Sequence, residues 1–435
     1  MVKVSKFGGS SVASSEQFKK VKEIVVSDKS RKFVVVSAAG KAHKEDNKIT
    51  DLLYLCYAHI KYNINCENIY SIIRKRFIEI RNNLNINFDI EKELDKLEKE
   101  LVKYIDEDYL VSRGEYLTAL LMAEYLDYKF VDAKDLIFFN YNGSVNYEKT
   151  QNKFDEIIKN NSKLLIPGFY GSLPSGEIKI MSRGGGDVTG AIIANVSNAE
   201  VYENWTDVSG VLMADPRIVD NPKEIDLINY TELRELSYMG ASVLHEEAIF
   251  PVKDKDIPIQ ILNTNNPTNK GTIIKNSKDE TNNVITGIAG KKDFSIITIK
   301  KNHMSNEIGL ISKTLIIFEE YNVSIEHIPS GIDSFSVIVA TEDIKPFIHE
   351  LIAKLKKITN ADEITVMNEI SLIATVGSQM KNKIGTSGRL FSALGKAGIN
   401  VIVISQTSDE INIIVGVHNS DYEHTIRTIY SEFNK

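Results

Sequence analysis

Cysteine is almost absent from this chain, since its 435 residues include only Cys56 and Cys66. Neither cysteine belongs to a Cys-x-x-Cys pair or has a histidine at the spacing of a metal ligand. The sequence therefore excludes a disulfide scaffold and favours two reduced, structural thiols over a metal or redox role. We predict no dedicated metal site.

An excess of positive charge and a long apolar run are also lacking. The chain has 52 Lys and Arg residues against 59 Asp and Glu residues, which gives a net charge of −7. This charge disfavours a general nucleic-acid binder, because binding to phosphates needs a basic face. No stretch is long enough to span a membrane, and Lys3 and Lys6 interrupt the first segment before a signal-peptide core forms. We predict a cytoplasmic protein with neither a nucleic-acid nor a membrane partner.

The length of the chain exceeds what one ordinary hydrophobic core accommodates, so we expect two or three domains. The hydrophobic fraction of 43% and the charged fraction of 26% are typical of a globular protein. Composition alone therefore predicts a multidomain, folded protein and leaves its activity open.

A glycine turn follows the first predicted strand, residues 2–7. The turn reads Gly8-Gly9-Ser10-Ser11, and one of its serines can cap the helix that follows. Backbone N–H groups in such a turn can point at a phosphate, and Lys6 adds a full positive charge. A tight turn at the edge of a sheet is an equally good interpretation of this stretch, and the P-loop pattern is absent.

Strands, small-residue turns and helices then alternate. In residues 32–36 an unbroken apolar run follows Lys32, which is typical of a strand buried on both faces. The turn 37–40 comes next, before an apolar helix opened by Asp51. This alternation predicts an α/β fold with sites at the carboxyl ends of parallel strands. Residues 51–110 read as a helical excursion without recognisable chemistry.

An apolar helix is predicted to begin at Ser112-Arg113-Gly114-Glu115. This start would place Glu115 at the N-terminal end of the helix. The plainer alternative is a helix cap with an exposed Arg–Glu pair.

Three consecutive glycines, 184–186, separate another strand from a helix rich in small residues. They allow close approach of the backbone to a ligand, and Arg183 offers a planar fork for a carboxylate or a phosphate. Asp187 can hold an ammonium group or a metal ion. A purely structural loop is the less favoured interpretation.

The third polar segment begins where a predicted strand ends, at Thr206-Asp207, and continues to the turn Asp215-Pro216-Arg217. Thr206 can hydrogen-bond a purine or a phosphate, Asp207 can bind Mg²⁺, and Arg217 can neutralise phosphate charge. Taken singly, each of these residues also fits an ordinary turn.

In combination, these segments resemble the signature of the aspartate kinases, within the amino acid kinase family. Residues 6–11, 182–187 and 205–217 follow the family's order and spacing, and residues 233–245 resemble its next block. The resemblance covers essentially the whole chain, and its motifs are specific in combination.

An internal repeat occupies the C-terminal third. Residues 295–339 and 370–415 each read as strand, loop, helix, strand, strand, with second strands expected at 323–325 and 399–402. Each unit resembles an ACT domain. The family resemblance implies an α/β amino acid kinase-type sandwich with a mostly parallel central sheet in residues 1–285. Two ferredoxin-like modules would follow at 286–365 and 366–435, and an interleaved arrangement of the two is the alternative.

The resemblance implies transfer of the γ-phosphoryl group of ATP, with Mg²⁺, to the β-carboxylate of L-aspartate. The product would be 4-phospho-L-aspartate, in the first step of lysine, threonine and methionine biosynthesis. A carboxylate nucleophile is already ionised at pH 7, so positioning and charge neutralisation suffice. The alternatives are another amino acid kinase and a catalytically inactive amino-acid sensor.

The resemblance also assigns residues to the active site. The catalytic group would be Lys6, Arg183 and Asp187. L-Aspartate would bind to Thr50, Glu115 and Arg183. The nucleotide would contact Lys6, Gly8, Gly9, Ser10, Thr206, Asp207, Leu212, Arg217 and Ser242. At Leu212 and Ser242 the chain departs from the residues that many relatives carry, and His245 reads as structural.

Regulation by an end-product amino acid is the expected role of the two modules. The effector would bind to Met304, Asn306, Gly309, Leu310, Ser330 and Asp333. L-Lysine is the expected effector, with L-threonine or joint inhibition as alternatives. The modules would also join the chains into a homodimer or homotetramer, and dimerisation without effector binding is the plainer alternative.

Overall fold

The computed structural model describes residues 2–182, 184–241, 244, 246–276 and 283–434. The chain divides into two compact units. The first unit comprises Met1–Val211, Glu224–Tyr230 and Val243–Lys278, and the second comprises Leu212–Lys223, Thr231–Ser242 and Asp279–Lys435. The predicted boundary at residues 285 and 286 lies close to the start of the last segment, but two short earlier segments also belong to the second unit.

Strands and helices alternate through residues 2–276. The strands are β1 (Lys3–Phe7), β2 (Arg31–Val36), β3 (Lys129–Phe130), β4 (Leu164–Pro167), β5 (Tyr170–Ser172), β6 (Ile178–Ile180), β7 (Val201–Thr206), β8 (Leu227–Ile228), β9 (Ile259–Asn263) and β10 (Thr272–Ile274). The helices are α1 (Ser15–Ser27), α2 (Ile49–Lys61), α3 (Glu67–Asn83), α4 (Ile90–Glu100), α5 (Glu107–Leu126), α6 (Tyr147–Ile158), α7 (Gly185–Val196), α8 (Tyr230–Tyr238) and α9 (Phe250–Lys253).

The main sheet of the first unit has the strand order β3-β4-β2-β1-β7-β9-β10-β8. Its neighbouring strands pair in parallel except for β9 and β10, which are antiparallel. The predicted α/β class with a mostly parallel central sheet is confirmed. The chain moves from β1 to one side of the sheet and later returns to its other side with β7, and ligands bind in α/β folds at such a reversal.

Strand β2 is buried on both faces, as its apolar run predicts. Val34 and Val36 pack into a core that includes residues of α1 to α5, whereas Phe33 packs edge-on against Phe154 of α6. Since successive side chains of a strand point to opposite faces, helices cover both sides of the sheet. Residues 51–110 form mainly helices, as predicted, and bury their apolar stripe in the first of these two cores.

The capping residue of one helix and the start of another differ from the predictions. Helix α1 is capped by Ser14, whose Oγ accepts from Gln17 N–H, because a short 3₁₀ turn occupies Gly9–Val12. Helix α5 begins at Glu107, where Asp106 accepts the N–H of Tyr109 at 2.8 Å. The prediction that Glu115 lies at the N-terminal end of this helix is therefore wrong.

The second unit contains mainly the C-terminal part of the chain. Its strands are β11 (Gly287–Lys300), β12 (Ser334–Ala340), β13 (Glu363–Val376), β14 (Val403–Ser405) and β15 (Asn412–His418). Its helices in this part are α10 (Leu310–Glu320), α11 (Thr341–Ile344), α12 (Ile348–Thr359), α13 (Thr386–Lys396) and α14 (Tyr422–Phe433). The expected strands at 323–325 and 399–402 are not formed, and β14 begins one residue beyond the latter segment.

The two modules share one antiparallel sheet of order β12-β11-β13-β15-β14. The first part of β11, from Gly287 to Lys291, pairs with residues 372–376 of β13, which also pair with β15. The last part of β11 pairs with β12 and with the beginning of β13. Each long strand therefore contributes to both modules.

Among the residues that the structure describes, none of the helices has the length and apolar character of a membrane span.

Candidate active site

A buried lysine lies at the carboxyl end of the central strand β1. Lys6 is only 7% exposed, and its Nζ is 2.5 Å from Oδ1 of Asp187. Asn204, the register partner of Lys6 on β7, donates from Nδ2 to the same Oδ1 at 2.9 Å. Neighbouring parallel strands and the first turn of α7 thus bring an ammonium group and a carboxylate together at the reversal point of the sheet.

Glycines allow helix α7 to approach the strand ends closely. A Cβ atom on Gly186 would lie 2.8 Å from Ser37 Oγ, and one on Gly168 would lie 3.0 Å from the Cα of Gly186. The helix begins after Gly184, which has φ +82°. These contacts explain structurally why the sequence has consecutive glycines here, and they hold the N-terminal turn of α7 next to Lys6.

The predicted phosphate turn directly follows β1. Gly8 N–H donates to Trp205 O at 3.0 Å, and Gly40 N–H donates to Gly9 O at 2.9 Å. A Cβ atom on Gly40 would lie 2.7 Å from the carbonyl carbon of Gly9, so the two turns need glycine to touch. Ser10 is half-buried in the 3₁₀ turn. The turns after β1 and β2 therefore form one connected rim.

Glu115 is buried on helix α5 with one oxygen unsatisfied. It is 5% exposed, and its Oε2 has no hydrogen-bond partner in the described part of the chain. Burial raises the pKa of Glu115 to about 8, although the N–H groups of Ala38 and Glu115 and the charge of Arg113 favour the ionised form. The alternative of an exposed Arg–Glu pair is excluded, because both Arg113 and Glu115 are buried.

The turn 37–40 connects these groups. Its Ala38 N–H faces Glu115, its Ala39 O accepts Ile49 N–H at 3.1 Å, and a Cβ on Gly114 would lie 2.9 Å from Ala38 Cβ. Thr50 is half-buried in the first turn of α2, next to Ile49. The turn 37–40 therefore lies between the Gly8–Gly9 turn and the predicted aspartate ligands Thr50 and Glu115.

Two predicted nucleotide ligands end strand β7. Thr206 is its last residue, as predicted, and its Oγ1 donates to Oδ1 of the exposed Asp207 at 3.2 Å. No group of three or more Asp, Glu, His or Cys side chains that could hold a metal occurs among the residues the structure describes. Mg²⁺ fits this donor set as a metal–nucleotide complex, because it is usually held by one or two carboxylates, waters and substrate phosphates.

The other predicted nucleotide ligands belong to the second unit. Leu212 is half-buried, and the side chain of Arg217 is 87% exposed with its Nη2 2.6 Å from Oδ2 of Asp215. The backbone of their segment is bonded to later elements, since Ile288 N–H donates to Met213 O and Lys223 N–H to Tyr430 Oη. Arg427 Nε also donates to Ile218 O at 2.8 Å.

Arg183, Ser242 and His245 lie outside the described residues.

Asn204 is a residue that the sequence interpretation missed. It carries the second hydrogen bond to Asp187, and its own Oδ1 is buried without a partner in the described structure. An asparagine next to a glutamate inside a buried strand was the signal that could have found it, because buried polar groups need a partner.

The predicted effector residues lie around two adjacent segments of the first module. Asp333 Oδ1 accepts His303 N–H at 3.0 Å, which joins the loop before β12 to the 3₁₀ turn Met304–Asn306. Gly309 has φ +83° and precedes α10. The side chains of Met304 and Leu310 are buried in the module core, whereas Asn306, Ser330 and Asp333 are exposed.

The parallel sheet, with a lysine at the end of its central strand and glycine turns around it, has the arrangement that the resemblance to the amino acid kinases implies. The model of the amino acid kinase family matches residues 1–263, and an ACT-domain model matches residues 373–433. The second match covers most of the second predicted module.

Comparison with individual proteins narrows this class. Aspartokinase 3 of Bacillus subtilis is 36% identical over 450 residues, covering 99% of this chain and 98% of its own length. The crystal structure of an aspartate kinase from Clostridium acetobutylicum is 48% identical, with a TM-score of 0.93 and full coverage of both chains. Aspartokinase III of E. coli in complex with lysine and aspartate (T-state) shares the fold at 24% identity and a TM-score of 0.78. The chain therefore belongs to the aspartate kinase family.

Proposed function

We propose that this protein transfers the γ-phosphoryl group of ATP to the β-carboxylate of L-aspartate. The observation that carries the proposal is the buried Lys6 ammonium, held by Asp187 at the end of β1 beside the Gly8–Gly9 turn. Family membership supports the reaction type. The pathway position, as the first step toward lysine, threonine and methionine, and a cytoplasmic location are part of the same proposal.

Glu115 would bind the α-ammonium group of L-aspartate. Its Oε2 is a buried acceptor without a partner in the described structure, and a cationic donor would remove the cost of that burial. Arg183 would take a substrate carboxylate through its planar fork, and Thr50 would add a hydroxyl from the start of α2. Asp187 already faces Lys6, so we assign it to orienting that lysine and leave the substrate ammonium to Glu115.

In the reaction, an oxygen of the aspartate β-carboxylate forms a bond to the γ-phosphorus while the bond to the β,γ-bridging oxygen breaks. The electron pair of that bond leaves with ADP, and 4-phospho-L-aspartate is formed. No proton is removed from the nucleophile, because a β-carboxylate is ionised at neutral pH. Catalysis then consists of alignment and charge stabilisation, to which Lys6 contributes directly.

The nucleotide would lie along the ends of β1 and β7. Gly8, Gly9 and Ser10 would offer backbone N–H groups to the phosphates, while Thr206 and Asp207 would contact the nucleotide and its Mg²⁺. That ion supplies further neutralisation of phosphate charge when bound. Arg217, Leu212 and Ser242 would complete the nucleotide contacts.

Residues 286–435 would regulate the kinase and join its chains as a homodimer or homotetramer. An amino-acid effector, L-lysine in our proposal, would bind at Met304, Asn306, Gly309, Leu310, Ser330 and Asp333. The exposed Asp333 carboxylate, which accepts His303 N–H just before the turn Met304–Asn306, supports an amino acid with a cationic side chain. L-Threonine is the alternative effector.

The test is phosphorylation of L-aspartate by purified protein with ATP and Mg²⁺, trapped as the hydroxamate, with and without L-lysine. Activity suppressed by lysine is the expected result. Activity unaffected by lysine would move the effector to threonine, whereas turnover with a different carboxylate would overturn aspartate as the substrate. The inactive-sensor alternative predicts no turnover with any carboxylate.

A further inference from the structure

A buried ion pair joins the helical excursion to the loop that precedes α2. Arg76 of α3 contacts Asp46 through Nη2, and the two side chains are only 11% and 9% exposed. No other role is assigned to the excursion, residues 51–110. This contact is a place where it reaches the loop after β2.

The pair organises the backbone of that loop, residues 40–48. Asp46 Oδ2 accepts Ala42 N–H and its Oδ1 accepts Asn47 N–H, both at 2.8 Å. Arg76 Nη1 donates to Gly40 O at 3.1 Å. One guanidinium group therefore binds the beginning of the loop directly and its end through the carboxylate of Asp46.

Both ends of the loop adjoin groups of the proposed active site. At its beginning, Gly40 N–H is bonded to the carbonyl of Gly9 in the phosphate turn. At its end, Ile49 N–H is bonded to Ala39 O, and Thr50 follows in the first turn of α2. A change in the loop conformation would displace Thr50 and would also disturb the hydrogen bond from Gly40 N–H that supports Gly9.

We propose that Arg76 and Asp46 are a positioning pair for aspartate binding, which holds loop 40–48 in the conformation that places Thr50 and the Gly9 turn. The roles of Thr50 and Gly9 rest on the proposed function. Arg76 and Asp46 act only through the loop and are not catalytic residues.

The pair is suited to this role because its interactions are formed in a partly dehydrated environment. A charge left there without its partner is strongly disfavoured, so removing either residue would favour loop conformations that expose the other to water. Burial opposes ionisation of Asp46, but the N–H groups of Ala42 and Asn47 and the charge of Arg76 outweigh it and lower its pKa. The carboxylate is thus charged at neutral pH.

The experiment compares Arg76→Met, Arg76→Lys and Asp46→Asn with Arg74→Met as the matched control. Arg74 lies on the same helix and pairs with Asp95 at 2.6 Å, in the excursion itself. We expect Arg76→Met and Asp46→Asn to raise KM for aspartate about tenfold, because a loop that is competent one-tenth of the time weakens apparent affinity by that factor. At saturating aspartate and ATP, kcat should stay within about threefold of the wild-type value, since Lys6 and Asp187 are unchanged.

Hydrogen exchange gives a second readout that does not depend on activity. The amides of Ala42 and Asn47 should exchange faster in Arg76→Met and Asp46→Asn than in wild type, and Arg74→Met should match wild type. Arg76→Lys keeps a charge near Asp46 but cannot reproduce the fork to Gly40, so we expect an intermediate KM. This milder variant keeps the test decisive if Arg76→Met does not fold.

The outcomes separate the two proposals. Absence of aspartate phosphorylation by the wild type would overturn the proposed function, and with it a positioning role in this reaction. Wild-type activity combined with an unchanged KM for aspartate in the folded Arg76 and Asp46 variants would overturn the positioning pair alone. A lower melting temperature in these variants, without change in KM or in loop exchange, would show a merely structural ion pair.

Discussion

The strand-end cluster of the first unit and the segment 212–223 of the second unit hold their predicted ligand-binding residues in different ways. In the cluster, Lys6 is buried and fixed by Asp187 and Asn204, on adjacent strands and a helix start. In the segment, the Arg217 side chain is almost fully exposed and forms an ion pair with Asp215, its neighbour two residues away along the chain. The first arrangement is preorganised by a buried sheet, whereas in the second the exposed Arg217 side chain can change its conformation at a low cost in free energy.

Hydrogen bonds connect the segment 212–223 to later elements of the second unit. Its backbone is bonded to β11 through Ile288 and to α14 through Arg427 and Tyr430. Helix α14 lies in the region matched by the ACT-domain model. We infer that changes in the regulatory modules reach the proposed nucleotide ligands Leu212 and Arg217 through these bonds. Linkage then requires the nucleotide to alter effector affinity by the same factor.

The largest effect is expected from Lys6→Ala, which removes the charge at the rigid cluster. We expect kcat to fall about 10²–10³-fold with the fold intact, because a preorganised group at developing charge contributes on this scale. Steady-state kinetics and circular dichroism provide the measurement. Lys3→Met, at the other end of the same strand, should keep kcat, and near-normal turnover of Lys6→Ala would refute the assigned role.

Glu115→Gln tests the cluster from the substrate side. Loss of a buried charged acceptor should raise KM for aspartate about tenfold to a hundredfold. In wild type, KM should also fall as the pH rises toward about 8, because the bound ammonium group requires the carboxylate form of Glu115. A variant that retains the wild-type KM and its pH dependence would exclude Glu115 as the ammonium ligand.

The same substitution should stabilise the ligand-free protein in alkali. The pKa of Glu115 is about 8 in the folded protein against an ordinary value of 4.5, so the folded state retains a proton that the unfolded chain releases. The contribution of Glu115 to stability is thus fully present below pH 4.5 and is lost as the pH rises to about 8. Glu115→Gln should therefore gain melting temperature over wild type between pH 5 and pH 9, and a constant difference would contradict the raised pKa.

Arg217→Gln addresses the exposed segment. We expect KM for ATP to rise about tenfold, as for loss of one charge-assisted hydrogen bond to phosphate, while KM for aspartate stays within twofold. The melting temperature should not change, because the side chain is exposed and its pairing with Asp215 contributes little. An effect on kcat as large as that of Lys6→Ala would remove the distinction between the two regions.

The smallest effect is expected from Tyr430→Phe, which deletes the acceptor of Lys223 N–H on α14. KM for ATP should rise about twofold to threefold, since the lower end of what one neutral hydrogen bond contributes, about 0.5 kcal/mol, corresponds to this factor. Tyr321→Phe, which loses a bond to Glu350 within the first module, is the matched control. Equal kinetics for both variants would show that α14 does not adjust the nucleotide segment.

Local sequence was sufficient for features that depend on neighbours along the chain. The apolar run after Lys32 and the glycines that follow β1 and precede α7 predicted buried strands, turns and an α/β class, all of which are present. Gly309 and Gly385 mark the starts of α10 and α13 in the two copies of the repeat. Such features need only side-chain periodicity and the conformational freedom of glycine.

Tertiary structure decided which polar groups face one another. It placed Asp187 on Lys6, buried Glu115 in the third turn of α5, and joined Arg76 to a loop thirty residues earlier. It also made β11 and β13 serve both modules and bonded segment 212–223 to α14. The sequence by itself determined most of the elements, the family and the chemical groups available. Their pairing depended on strand order, burial and helix packing, because contacts between residues distant in sequence arise only when the chain closes on itself.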